Sequence, residues 1–225
     1  MGRPFQVGPY FISDMSEEKT RVQIVLPDGM PVKGCKVLLH ACCAPCSAAI
    51  VECLLGNGIQ PTVFFSNPNI FPLEEYDVRK HELFRFLQVQ GVPYVEDDYD
   101  HPTWLSQVKG FEKEPERGHR CTVCFRLRLL RAAQYASANA FPWFATTLAS
   151  SRWKDIDQIN AAGLFAQNHV TGTHFWPQNW RKGGLQQRRG ELLKINGFYN
   201  QQYCGCEYSL AFLRERERQR LIKTD

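Results

Sequence analysis

The sequence is short of several things, and each shortage removes a class of protein. It has no long apolar run. The most apolar stretch, residues 37–55, carries His40 and Glu52 and is broken by Pro45, so it does not read as a membrane span. The N-terminal MGRPFQVGPYF has no apolar centre of the secretory type, and a cytoplasmic location is expected. Excess charge is small, with 27 Lys+Arg against 23 Asp+Glu, a net of +4. Combined with 44% hydrophobic residues, that excludes disorder for most of the chain. There is no repeat, low-complexity tract or convincing linker, so the 225 residues are expected to build one core.

What the chain does have is cysteine, nine in all. In a reducing compartment clustered cysteines bind metal or do redox chemistry more often than they form disulfides. Seven of the nine fall in three tight groups: Cys42, Cys43 and Cys46; Cys121 and Cys124; Cys204 and Cys206. Charge is also uneven. Residues 176–225 hold 10 basic and 5 acidic side chains, and residues 117–131 hold five arginines and no acid. Such local excess suits an anionic partner, nucleic acid included, although a solvated surface gives the same pattern.

The hydrophobic pattern predicts an α/β fold with a mainly parallel sheet flanked by helices. Residues 36–41 read as a buried strand, 47–55 as a helix stopped by Gly56 and Gly58, and 61–66 as the next strand, together a βαβ unit. Helices are expected over 73–90, 120–139, 155–167, 190–196 and 208–222, and strands over 93–95 and 143–147. Residues 1–34 read as an N-terminal extension with an edge strand at 22–26, and residues 35–225 as a single catalytic domain.

Ligands of open α/β sheets bind beyond the carboxyl ends of the strands. His40-Ala-Cys-Cys-Ala-Pro-Cys46 occupies that place in the first βα loop, where a nucleotide-binding fold would carry glycines to cradle phosphate. Thiols stand there instead, which points to metal or redox work. Cys43 and Cys46 form C-x2-C, as do Cys121 and Cys124, the latter near a helix start that favours thiolate. Cys204-Gly-Cys206 is tighter, and Gly205 permits close backbone approach to an inorganic cluster. A structural zinc takes four ligands and leaves three thiols unused. Seven suit one [4Fe–4S] cluster plus a second metal with an open position, ahead of zinc or metal-free thiol exchange. Cys35 and Cys53 are assigned to packing.

Other polar words are weaker. Asn67 and Asn69 end the second strand and suit a base or a ribose, or equally a turn. Tyr76, Arg79 and Lys80 share adjacent helical turns. Thr146 and Thr147, with Arg152 and Lys154, follow another strand end. Trp180-Arg181-Lys182-Gly-Gly184 joins an aromatic ring, two cations and flexible glycines, a combination that suits single-stranded RNA or a plain surface loop.

The series HACCAPCS, SNPNI, EEYDVRKHE, RCTVCFRLRL, FATTLASSRWKD, WRKGG and YNQQYCGCEYS resembles the QueH-type epoxyqueuosine reductases from about residue 36 to 213. Where that family often has an Asp-aromatic pair before RKGG, this chain has Gln178-Asn-Trp. The resemblance implies a sheet like that of adenine-nucleotide hydrolases, the HUP type. It implies reduction of epoxyqueuosine to queuosine at the wobble base of tRNA by an oxidoreductase. It implies a [4Fe–4S] cluster with an additional mononuclear iron, no cobalamin, and an external electron donor of ferredoxin or flavodoxin type. By position, Cys42, Cys43, Cys46, Cys121, Cys124, Cys204 and Cys206 become the metal ligands. Because family members can have Asp in place of Cys46, Cys46 is assigned with Cys43 to the second metal, as the catalytic ligands. Asn67, Asn69, Tyr76, Arg79, Arg152, Arg181 and Lys182 are the expected tRNA contacts. His40, His119 and Tyr203 are candidate proton donors, each with a commoner core or capping role. The rival readings are an ATP-dependent tRNA-thiolating iron–sulfur enzyme, a zinc-dependent nucleic-acid binding module, and a metal-free thiol oxidoreductase.

Overall fold

Lys36-Val-Leu-Leu-His40 forms β1, the middle strand of five, and its Val37, Leu38 and Leu39 are wholly buried. A strand covered on both faces reads as a continuous apolar run, which is why this one was visible in the sequence. The computed structural model describes residues 22, 24–31 and 33–222. Within them the strands β1, β2 (Gln60–Phe65), β3 (Tyr94–Glu96), β4 (Trp143–Thr146) and β5 (His174–Phe175) lie in the order β3-β2-β1-β4-β5, with every pairing parallel. The helices are α1 (Ala44–Gly56), α2 (Leu73–Val89), α3 (His101–Gln107), α4 (His119–Ala138), α5 (Ile156–Gln167), α6 (Leu185–Ile195) and α7 (Glu207–Ile222), and a 3-10 helix spans Thr147–Ser150. α1 packs on α2 and α6, while α4 packs on α5, so helices cover both faces. Strand order reverses between β1 and β4, the place where such sheets open a crevice for a ligand.

The expected α/β architecture is therefore present, with local differences that have physical causes. α1 starts at Ala44, because Pro45 in its first turn needs no hydrogen-bond partner for its nitrogen. α6 starts five residues ahead of the expected 190, directly after Gly183 and Gly184 turn the chain with positive φ. α3, the 3-10 helix and β5 were not expected.

The expected edge strand at 22–26 is corrected. Its described residues form no strand, and the edges of the sheet are β3 and β5. Side chains take its carbonyls instead: Asn57 Nδ2 donates to Val22 O at 3.1 Å and Trp176 Nε1 to Val25 O at 3.2 Å. The segment is a strap across α1 and Trp176. Residues 1–21, 23 and 32 of the expected extension, and 223–225, lie outside the described residues.

Candidate metal centre

The carboxyl ends of three strands are tied by one side chain. His40, at the end of β1, is wholly buried. Its Nδ1 lies 2.8 Å from Thr146 Oγ1 at the end of β4, and its Nε2 lies 3.1 Å from Ser66 O beyond β2. A carbonyl only accepts, so Nε2 carries the proton and Nδ1 accepts from threonine. Burial, with the charge of Arg128 nearby, lowers its pKa to about 3 and keeps the ring neutral. With both nitrogens engaged, His40 serves as a linker of strand ends.

Immediately beyond it, Cys42, Cys43 and Cys46 bring their sulfurs within 4.8 Å of one another, all three buried. Extended Cys43 precedes α1, and Ser47 Oγ donates back to its carbonyl at 2.7 Å. All nine cysteines are free thiols. Hydrogen bonds from Cys43 and Cys46 hold the Cys42 thiol well below its ordinary range, while Cys43 and Cys46 are pushed up in exchange. Among the described residues, no other group of His, Cys, Asp or Glu side chains is gathered so tightly.

Cys121 and Cys124 sit one turn apart at the start of α4, and Cys204-Gly205-Cys206 leads into α7. Burial, then the neighbouring thiols of Cys204 and Cys124, pushes Cys121 up to about 12. Burial and Cys204 push Cys206 up to about 11. Gly205 has φ +133°, and a Cβ there would meet Ile70 Cγ1 at 3.1 Å and Arg79 NH1 at 3.2 Å. The glycine is required by the protein's own packing as well as by any approach to a cluster.

A cavity of about 610 Å³ is lined by Cys42, Cys46, Cys121 and Cys204, so all three thiol groups reach it. Of its charged lining residues among those described, six are basic and one, Glu116, is acidic. Lys154 enters from the loop after the 3-10 helix. Burial by itself would lower its pKa, but Cys204, Cys42 and Cys46 outweigh that and keep it protonated. Gln201 Nε2 lies 3.1 Å from Cys43 Sγ and 3.6 Å from Cys46 Sγ, and its Oε1 is buried without a partner. Neither Lys154 nor Gln201 was singled out as a site residue. Both stood in the sequence beside motifs, SSRWKD and YNQQYCGC, without any spacing that marks them.

The expected tRNA contacts divide. Asn67 is buried, donating to Ala41 O at 2.8 Å and accepting from Arg128 at 2.5 Å. Asn69 is buried with its Oδ1 unpartnered, and buried Tyr76 donates to Glu96 at 3.0 Å. Arg79 reaches the cavity lining but is only 1% exposed, donating to Cys204 O at 3.1 Å and Tyr203 O at 3.2 Å. Arg152 is exposed at the cavity and Lys182 is exposed outside its lining, whereas half-buried Arg181 donates to Lys154 O at 2.7 Å. Trp180, read as a possible RNA-stacking ring, is corrected. It is 1% exposed, with Nε1 donating to Thr146 O at 3.1 Å and its ring against Trp176. His119 packs on the Phe111 ring, and Tyr203 lines the cavity with its hydroxyl donating to Phe71 O at 2.5 Å.

The donor set fits a thiolate-bound metal or cluster. It is rich in sulfur, largely buried, and compensated by Arg79, Arg128 and Lys154. No helix of the described residues is long and apolar enough to cross a membrane.

Comparison with known proteins agrees with this chemistry. The family described as epoxyqueuosine reductase QueH matches residues 37–211. The epoxyqueuosine reductase QueH of Histophilus somni is 49% identical over 190 residues, covering 84% of this chain and 76% of that protein. That of Acinetobacter baylyi is 47% identical over 192 residues, covering 85% and 86%. That of Thermotoga maritima is 34% identical over 185 residues, covering 80% and 93%.

Proposed function

The chain belongs to the epoxyqueuosine reductase QueH family, and we propose that it reduces epoxyqueuosine to queuosine at the wobble position of a tRNA anticodon. The observation that carries this reading is the convergence of thiols from three distant segments on one cavity with a cationic lining. Removing an epoxide oxygen to leave an alkene consumes two electrons and two protons and releases water. When bound, a [4Fe–4S] cluster and a neighbouring iron supply the electrons and the Lewis acidity for that change, without cobalamin. Cys42, Cys43, Cys46, Cys121, Cys124, Cys204 and Cys206 would hold them. Cys43 and Cys46 are assigned to the second iron, supported by their shared contact with the Gln201 amide.

The remaining roles fall to groups lining the cavity. Lys154 keeps a protonated amine at the thiol end, where it offers a hydrogen bond to an oxygen that gains negative charge. Arg79 fixes the backbone of Tyr203 and Cys204. Arg152, Arg189 and Arg216 at the cavity suit the phosphates of the RNA. Electrons come from an external ferredoxin or flavodoxin, the enzyme is cytoplasmic, and residues from 35 onward form the catalytic domain. ATP-dependent thiolation gains no support, because the first βα loop holds thiols in place of a phosphate cradle.

The deciding experiment measures iron, acid-labile sulfide and zinc on anaerobically purified protein. It is followed by reduction of epoxyqueuosine-containing tRNA with a chemical reductant. About four sulfides with four to five irons per chain, and product without ATP, are expected. Zinc alone after anaerobic reconstitution, with no visible absorption and no product, would overturn the reading.

A further inference from the structure

The loop that delivers Lys154 to the thiols also carries an exposed aromatic residue. Trp153 lines the same cavity yet is 75% exposed. An indole ring gains more than most side chains from burial, so a largely exposed one beside a binding cavity invites a partner. Its backbone, moreover, is held firmly. Arg117 Nε donates to Trp153 O at 2.8 Å and Arg117 NH2 to Arg152 O at 3.3 Å, while Arg181 NH2 donates to Lys154 O at 2.7 Å. Three consecutive carbonyls are thus gripped by guanidinium groups. Arg117 itself adopts φ 69°, a left-handed conformation that a non-glycine residue rarely accepts and that recurs at functional sites.

Trp153 sits among cations. Arg152 precedes it, and Arg189 and Arg216 line the same cavity, with Glu116 the one acid among its described lining residues. A flat exposed ring on a fixed backbone, at a cavity lined by arginines, matches a nucleobase whose flanking phosphates are paired. Resting on the reading of the cavity as an RNA-modifying site, we propose that Trp153 is a stacking platform for an unpaired base adjoining the nucleotide that enters the cavity. Trp180, which the sequence offered for that part, is enclosed in the core.

The test uses the full-length, iron-loaded protein and a fluorescein-labelled anticodon stem-loop RNA, with affinity read by anisotropy over a range of KCl concentrations. Trp153→Ala should weaken binding about tenfold, and Trp153→Phe should retain most of the affinity. Since no charge is removed, the slope of affinity against salt should stay that of the wild type. Iron content and visible spectrum should also be unchanged. Affinity of Trp153→Ala within about twofold of wild type would overturn the platform, because stacking is worth more than that. Unchanged RNA affinity with slower reduction by flavodoxin would also overturn it and assign the ring to a protein partner. Binding is measured separately from turnover on epoxyqueuosine tRNA. If the wild type binds the RNA but makes no product, the proposed activity fails while the affinity series still decides the role of Trp153.

Discussion

Replacing Arg79 by methionine should loosen the protein and its thiol geometry together. The guanidinium is 1% exposed and has three partners in two distant parts of the chain. Its Nε donates to Glu75 Oε1 at 2.7 Å within α2, and NH1 and NH2 donate to the carbonyls of Cys204 and Tyr203 at 3.1 and 3.2 Å. The Tyr203 ring lies 5.4 Å away on its face. Breaking a buried pair by removing one partner costs about 3–5 kcal/mol, most of it from the stranded charge. Here Tyr199 donates to Glu75 Oε2 at 2.8 Å and the adjoining cavity offers water to the carbonyls, so the lower end, about 3 kcal/mol, is expected. Arg79→Lys keeps the charge but cannot fork toward a carboxylate and two carbonyls, and about half that loss is expected. Adding Glu75→Gln to Arg79→Met should recover part of the stability and none of the loop geometry. Urea unfolding of anaerobically prepared variants, with iron per chain measured on the same samples, checks both effects. A methionine variant within about 1 kcal/mol of wild type, with full iron, would refute the clamp.

Two further substitutions probe the same framework. Gly205→Ala adds a Cβ 3.1 Å from Ile70 Cγ1 at φ +133°, and should cost about 1–3 kcal/mol and lower iron retention; an alanine variant with wild-type melting and iron would contradict the packing argument. Asp97 is held below the ordinary carboxylate range. Burial alone would raise it, but hydrogen bonds from Arg131 and Ser66 outweigh that. A depressed folded value means that its stabilisation is complete above the unfolded value of about 4 and is lost as pH falls through the folded one. Asp97→Asn should therefore lower the urea midpoint at neutral pH and flatten its fall in acid, and equal midpoints at pH 7 would rule out that linkage.

The parts of the molecule that could be read from sequence are those in which one physical constraint dominates. β1 announced itself because both its faces are covered, and the thiols did so because seven cysteines in three tight groups need a common use. The missed elements are short and governed by tertiary contacts. α3 is seven residues beginning His-Pro, started by Asp100 accepting from Thr103 N, and β5 is two residues made a strand by pairing with β4. The tryptophans show the limit most clearly. Trp180 stands in WRKGG, whose cations and glycines suggest exposure, yet its indole N–H finds a carbonyl at the end of β4. Trp153 stands in SSRWKD, where local composition does not reveal its exposure, because the backbone of this loop is fixed by the distant Arg117 and Arg181.

The position of the centre follows from a charge problem and its solution. Thiols gathered in a buried space repel once ionised, and desolvation raises the cost further. The fold answers by aiming cations at them, two of them held by backbone carbonyls or an amide oxygen and the third carried on a backbone that an arginine grips. Arg128, bonded to Ser66 O and Asn67, favours ionised Cys42 and Cys124. Arg79, bonded to the Cys204 and Tyr203 carbonyls, faces Cys43 and Cys42. Lys154, with its carbonyl gripped by Arg181, faces Cys204, Cys42 and Cys46. Three cations thereby serve Cys42, Cys43, Cys46, Cys124 and Cys204, and the contacts that hold them are also those that tie α2, α4 and the loop after β4 around the strand ends. Charge compensation for a set of thiolates that could hold a metal is thus built into the same contacts that close the fold at its switch point.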